Sequence, residues 1–137
     1  MAWILYGLLS AAFAAPVFGK IGIANVDSTL ATTVRAVFMA FLLVVASLAL
    51  GKAPLLPGIS HRALSFIALS GVAGALSWFF YFLALRTGPT SAVAALDRLS
   101  VVFVLILALV FLGEQFSRKS GIGALFITAG AILMAVR

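Results

Sequence analysis

The sequence predicts an all-α membrane protein, a bundle of five transmembrane helices, and three observations predict it. Of its 137 residues, 65% are hydrophobic. Only 9% are charged, against about 25% in a typical soluble domain, so no water-compatible surface can be assembled. The apolar residues fall into five runs of about 20, the length that crosses a hydrocarbon core. Such hydrophobicity also excludes intrinsic disorder.

The first span is expected from about Ala2 to Gly19, closed by Lys20. It begins apolar at Trp3, Ile4 and Leu5 and lacks the basic stretch of a cleavable signal peptide, so it is read as a retained span. Pro16 near its end is tolerable in lipid where neighbours satisfy the freed carbonyl. Asp27 and Ser28 read as the N-cap of a second span, Thr29 to Leu50, which carries Arg35. Gly51, Lys52, Pro54, Pro57 and Gly58 form the longest loop, and Ser60 is the next cap. The third span runs from about Arg62 to Leu85. Gly71, Gly74 and Ala75 in it suggest close helix packing, and an aromatic run follows from Trp78 to Phe82. Pro89 is expected at the first helical position of a fourth span, Thr90 to Leu112, which carries Asp97 and Arg98. The fifth runs from about Ser117 to Arg137, with Gly121, Gly123 and Gly130 permitting close approach. The whole chain, residues 1–137, is read as a single transmembrane domain.

The net charge of +6 comes from charges scattered singly at span ends, where they serve as headgroup and orientation anchors, so no nucleic-acid partner is implied. Lys52, Arg62, Arg118 and Lys119 fall on the N-terminal side of the membrane, and Lys20, Arg86 and Arg137 on the other. Four against three is a weak bias toward a cytoplasmic N-terminus, and it allows insertion in both orientations. There is no cysteine, so disulfides and thiolate chemistry are excluded. His61 and three acids offer no metal cluster and no catalytic triad. No metal, cofactor or enzymatic activity is expected.

Ionisable groups inside spans usually face a bundle interior or a cavity. Arg35 lies about 9 Å into its span and Asp97 about 10 Å into its own, at the ~1.5 Å helical rise per residue. Both spans are entered from the same side, so the two could meet at one depth. Arg98, about 100° further round the helix, faces elsewhere. Such a pair reads equally as a polar substrate pathway or as a structural staple between spans. Only the carboxylate can change charge usefully, which makes Asp97 the candidate for proton coupling. Trp78 and Tyr81 share a helix face, with Ser77 beside them, and aromatic rings with polar tips can line a cavity for organic molecules. The pathway candidates are therefore Arg35, Ser77, Trp78, Tyr81, Asp97, Arg98 and Ser100.

An ordered set of segments covers nearly the whole chain: Phe18-Gly19-Lys20-Ile21-Gly22; Val26-Asp27-Ser28 followed by Ala31-Thr32 and Arg35; Ser70-Gly71 leading to Ser77-Trp78, Tyr81 and Ala84-Leu85; and Ser91, Val93-Ala94, Asp97 to Phe103 and Leu112-Gly113-Glu114. In this set the chain resembles the EamA-type domains of the drug/metabolite transporter superfamily, in particular the short five-span bacterial and archaeal members. The resemblance implies a secondary transporter or exporter of small metabolites in the cytoplasmic (inner) membrane. In larger relatives two such domains are fused into ten spans as an inverted repeat. One five-span chain is half of that fold and is expected to dimerise, in antiparallel fashion. Such transporters place their sites near the midplane at the repeat interface and work by alternating access. Ala95 stands where the family commonly has a proline, so that residue's reason for a kink in the fourth span is missing. Leu83 stands where short members often carry a lysine. An accessory transmembrane subunit without transport of its own is the alternative reading.

Overall fold

The computed structural model describes residues 2–13 and 15–136. Among them there are helices and no strand: α1 (Ala2–Ala12), α2 (Ala15–Gly22), α3 (Ser28–Ala49), a 3₁₀ segment (Ala53–Gly58), α4 (His61–Thr87), α5 (Thr90–Asp97), α6 (Ser100–Phe111) and α7 (Arg118–Ala135). Five stretches are long and apolar enough to cross a membrane: Ala2–Gly22, Ser28–Ala49, His61–Thr87, Thr90–Phe111 and Arg118–Ala135. The protein is an all-α membrane bundle, as the apolar runs predict.

The starts of α3, α4 and α7 have a local cause. The Asp27 carboxylate accepts from the backbone N–H of Thr29 at 2.9 Å and of Leu30 at 3.1 Å, capping α3. Ser60 Oγ accepts from Ala63 N–H ahead of α4, and Ser117 Oγ from Lys119 N–H at the start of α7. Pro89 is the cap of α5 and not its first residue, with ψ of 134°. At the end of α3, Gly51 takes a positive φ of 65°. The N–H of Gly51 then reaches the Leu48 carbonyl and that of Lys52 the Ser47 carbonyl, a double closure that uses carbonyls left over by the helix. Within the spans, the Thr32, Thr33, Ser65 and Thr128 hydroxyls each donate to the carbonyl one turn back, which satisfies them without water.

Two spans are interrupted. The first was expected as one helix to Gly19, yet α1 ends at Ala12 and α2 continues to Gly22, past Lys20. Pro16 has no N–H to offer the Ala12 carbonyl, so the α-helical ladder cannot run through. The fourth breaks between α5 and α6 without a proline. Arg98 and Leu99 have ψ of −13° and −20°, and their N–H groups bond three residues back, to Ala95 and Leu96. Val101 and Val102 also bond three back, to Arg98 and Leu99, so the chain passes Asp97-Arg98 as a 3₁₀ turn. The expected end of the fifth span at Arg137 lies outside the described residues.

The chain forms two compact units, Gly19–Arg86 and Met1–Phe18 with Thr87–Arg137. In the first, Ile23, Ser28, Tyr81, Phe82 and Leu85 are buried. In the second, α7 packs on α5, and the buried residues Ala92, Val93, Ala108 and Ala131 are small or β-branched. That suits association in lipid, where close van der Waals packing replaces the hydrophobic drive. The expected glycine contacts are not made at every position. A Cβ added at Gly71, Gly74, Gly123 or Gly130 would meet nothing within 4 Å. At Gly19 it would stand 3.3 Å from the Phe82 ring of α4, and at Gly121 2.6 Å from the ring of Phe116, which precedes the same helix, so the closeness at Gly121 is local.

Candidate functional site

The site in Gly19–Arg86 is built on α3 and α4. Arg35 lies seven residues beyond Ser28, about 10 Å along α3. Its Cζ stands 3.6 Å from the centroid of the Trp78 ring and 5.8 Å from that of Phe82. A guanidinium over an indole face at contact distance is a cation–π pair, strengthened where water is excluded. Trp78 in turn meets Tyr81 edge-on at 5.2 Å and Phe82 at 6.0 Å. Residues 78, 81 and 82 are three and four apart, so one face of α4 presents all three rings. Tyr81 and Phe82 are buried; Arg35 and Trp78 are half-buried.

Charge balance within this unit is informative. Asp27 is its one acid, and its carboxylate lies 3.6 Å from the Arg86 guanidinium. Lys20 donates to the backbone carbonyl of Leu85. Arg35 therefore has no carboxylate partner within residues 19–86. The indole face balances part of the charge.

Of the residues named from sequence, the structure brings Arg35, Trp78 and Tyr81 together. Ser77 lies one turn before Tyr81 and is exposed. Asp97, Arg98 and Ser100 cluster at the 3₁₀ turn between α5 and α6, in the other unit, where all three are exposed. Sequence reasoning missed three features. Phe82 is the second ring near Arg35, and its i+4 spacing from Trp78 was the available signal. The Asp27–Arg86 pair joins residues read only as a cap and a span-end anchor; both stand at span ends on one side of the membrane. The 3₁₀ turn has no proline or glycine to announce it. No group of three or more metal-ligating side chains occurs among the described residues.

Comparison with known proteins bears on this arrangement. The model of the EamA-like transporter family matches residues 1–136. A protein of Sinorhizobium sp., named as an uncharacterized transporter in the cobO 3′ region, is 43% identical over 136 residues, covering 98% of this chain and 96% of that protein. No solved structure matches. With five apolar helices, an intramembrane cation on an aromatic wall and a match along almost its whole length, the chain belongs to the EamA-like transporter family.

Proposed function

We propose that this protein is a secondary transporter of small organic metabolites, working by alternating access as a homodimer in the cytoplasmic membrane of a bacterium or archaeon. The observation that carries this reading is Arg35: a cation about two turns inside a membrane helix, stacked on Trp78 and without a carboxylate in its own unit. A purely structural arginine at that depth is costly unless its charge is met. Arg35, Ser77, Trp78 and Tyr81, and with them Asp97, Arg98 and Ser100, are the proposed pathway residues. The 3₁₀ turn at Arg98-Leu99 supports that role for the second group, since interrupted membrane helices commonly carry transporter sites.

Asp97 is the residue proposed to couple protons to flux. With purified protein in liposomes, counterflow of labelled organic acids and amines under an imposed pH gradient is expected to depend on pH. Asp97→Asn is expected to abolish that dependence while leaving gradient-independent exchange. Flux with unchanged pH dependence in Asp97→Asn would remove Asp97 from the coupling role.

The homodimer is proposed to be antiparallel, in keeping with the four-against-three distribution of basic residues. The absence of cysteine makes its topology directly readable. Single cysteines placed at Ser60 and at Gly88 are expected each to label partly from outside intact cells with a membrane-impermeant thiol reagent, and fully after permeabilisation. Labelling of only the Gly88 position from outside would mean one orientation, and would replace the antiparallel dimer by a parallel one or by an inverted partner.

A further inference from the structure

We propose that Arg35 is the anion-recognising group of a binding subsite for organic monoanions, carboxylates in particular, whose apolar body lies along the aromatic wall of Trp78, Tyr81 and Phe82. This deepens the transport reading: the subsite's part in flux rests on that reading, but its occupancy does not.

Three observations converge within residues 19–86. Arg35 is a fixed cation at membrane depth, and the one acid of its unit is engaged by Arg86. A charge removed from water needs a counter-charge and hydrogen-bond partners. The Arg35 Cζ stands over the Trp78 ring at 3.6 Å, and a guanidinium carries five N–H donors, which a ring face does not satisfy. That planar fork matches a carboxylate, which accepts two parallel N–H bonds. Finally, the nearby cations are committed: Lys20 to the Leu85 carbonyl and Arg86 to Asp27. One unengaged positive charge balances one negative charge, so a monoanion fits better than a dianion or a phosphate ester. Organic cations are repelled. The rings beside the fork favour an anion with an apolar or aromatic body over a small inorganic one.

The test is equilibrium binding to the full chain in zwitterionic lipid nanodiscs. The protein has two tryptophans, Trp3 and Trp78. Trp3→Phe leaves Trp78 as the sole reporter, and Trp3 is far from the site in sequence and exposed. The probes are phenylacetate, its neutral isostere phenylacetamide, and 2-phenylethylammonium. Phenylacetate is expected to change Trp78 emission saturably. Phenylacetamide and the ammonium are expected to bind at least about tenfold more weakly. Arg35→Gln is expected to weaken phenylacetate binding by about 10- to 100-fold, the range for a charge-assisted hydrogen bond. Arg35→Lys keeps the charge without the fork and is expected to fall between the two, which guards against a folding defect in the glutamine variant. Equal binding of acid and amide, tighter binding of the ammonium, or no saturable response in the Trp3→Phe protein would each overturn the proposal. In the last case, phenylacetate binding gained in Asp97→Asn would identify Asp97 as the anion that Arg35 already holds. Counterflow in liposomes is scored separately: binding without flux keeps the subsite and defeats the transport reading, and flux without anion preference does the reverse.

Discussion

Counterflow of phenylacetate into proteoliposomes is expected to fall by about 10- to 100-fold when Arg35 is replaced by alanine. The substitution removes both the cation and its contact with Trp78, so the proposed pathway loses the charge that stands on the aromatic wall. The same residue separates the transporter from an accessory subunit. If Arg35 only staples the second span to the fourth through Asp97, the exchange Arg35→Asp with Asp97→Arg restores the staple. Folding and all activity of a host complex would then return. If Arg35 meets substrate, the exchanged protein regains folded yield in detergent but not flux, because α3 then carries a carboxylate where the Trp78 ring meets a cation. Wild-type flux in the exchanged protein would assign the pair to architecture alone.

Leu85→Ala is expected to give the largest loss of stability among single truncations in the Gly19–Arg86 unit. Leu85 is 1% exposed, and the backbone of α2 comes close to it: a Cβ on Gly19 would lie 3.7 Å from Leu85 Cδ1. In a soluble core a buried Leu→Ala costs about 2–5 kcal/mol, part transfer and part cavity. In lipid the transfer part is small, because the acyl chains are as apolar as leucine, while the lost packing remains. The expected cost is therefore near the lower end, about 2 kcal/mol. It is read as a shift in the denaturant-induced unfolding of the protein in mixed micelles. Leu76→Ala, at a position 56% exposed, serves as the comparison and should stay within about 0.5 kcal/mol of wild type. Equal losses at the two positions would mean that α4 is not held by the packing seen around Leu85.

Much of the fold was legible because lipid imposes simple demands. A span must be about 20 residues of apolar helix, and the boundaries of α3, α4 and α7 follow from Asp27, Ser60 and Ser117 acting as caps. The first span shows the limit of that reading. Pro16 was visible, but whether a proline in lipid is absorbed or interrupts the helix depends on whether a neighbour takes up the freed carbonyl. The turn at Arg98-Leu99 was less legible still. No glycine or proline stands there, and the hydropathy of Thr90–Phe111 is that of an unbroken span. The glycines were over-read: small residues permit close packing, but a partner must be present to use them, and at Gly71 and Gly74 this chain supplies none.

The sequence by itself determined that this is a five-span helical membrane protein, since its 65% hydrophobic content and sparse charge admit no other solvent, and it singled out Arg35, Trp78 and Tyr81 by depth and helical spacing. Only the tertiary structure decided what Arg35 touches. Depth along a helix fixes height but not azimuth or partner, and the ring that Arg35 meets within residues 19–86 is set by how α3 and α4 lie together. The Trp78 face at 3.6 Å, the engagement of Asp27 by Arg86 and of Lys20 by the Leu85 carbonyl are set by how α2, α3 and α4 come together. Together they are the observations on which the proposal of an anion subsite at Arg35 rests.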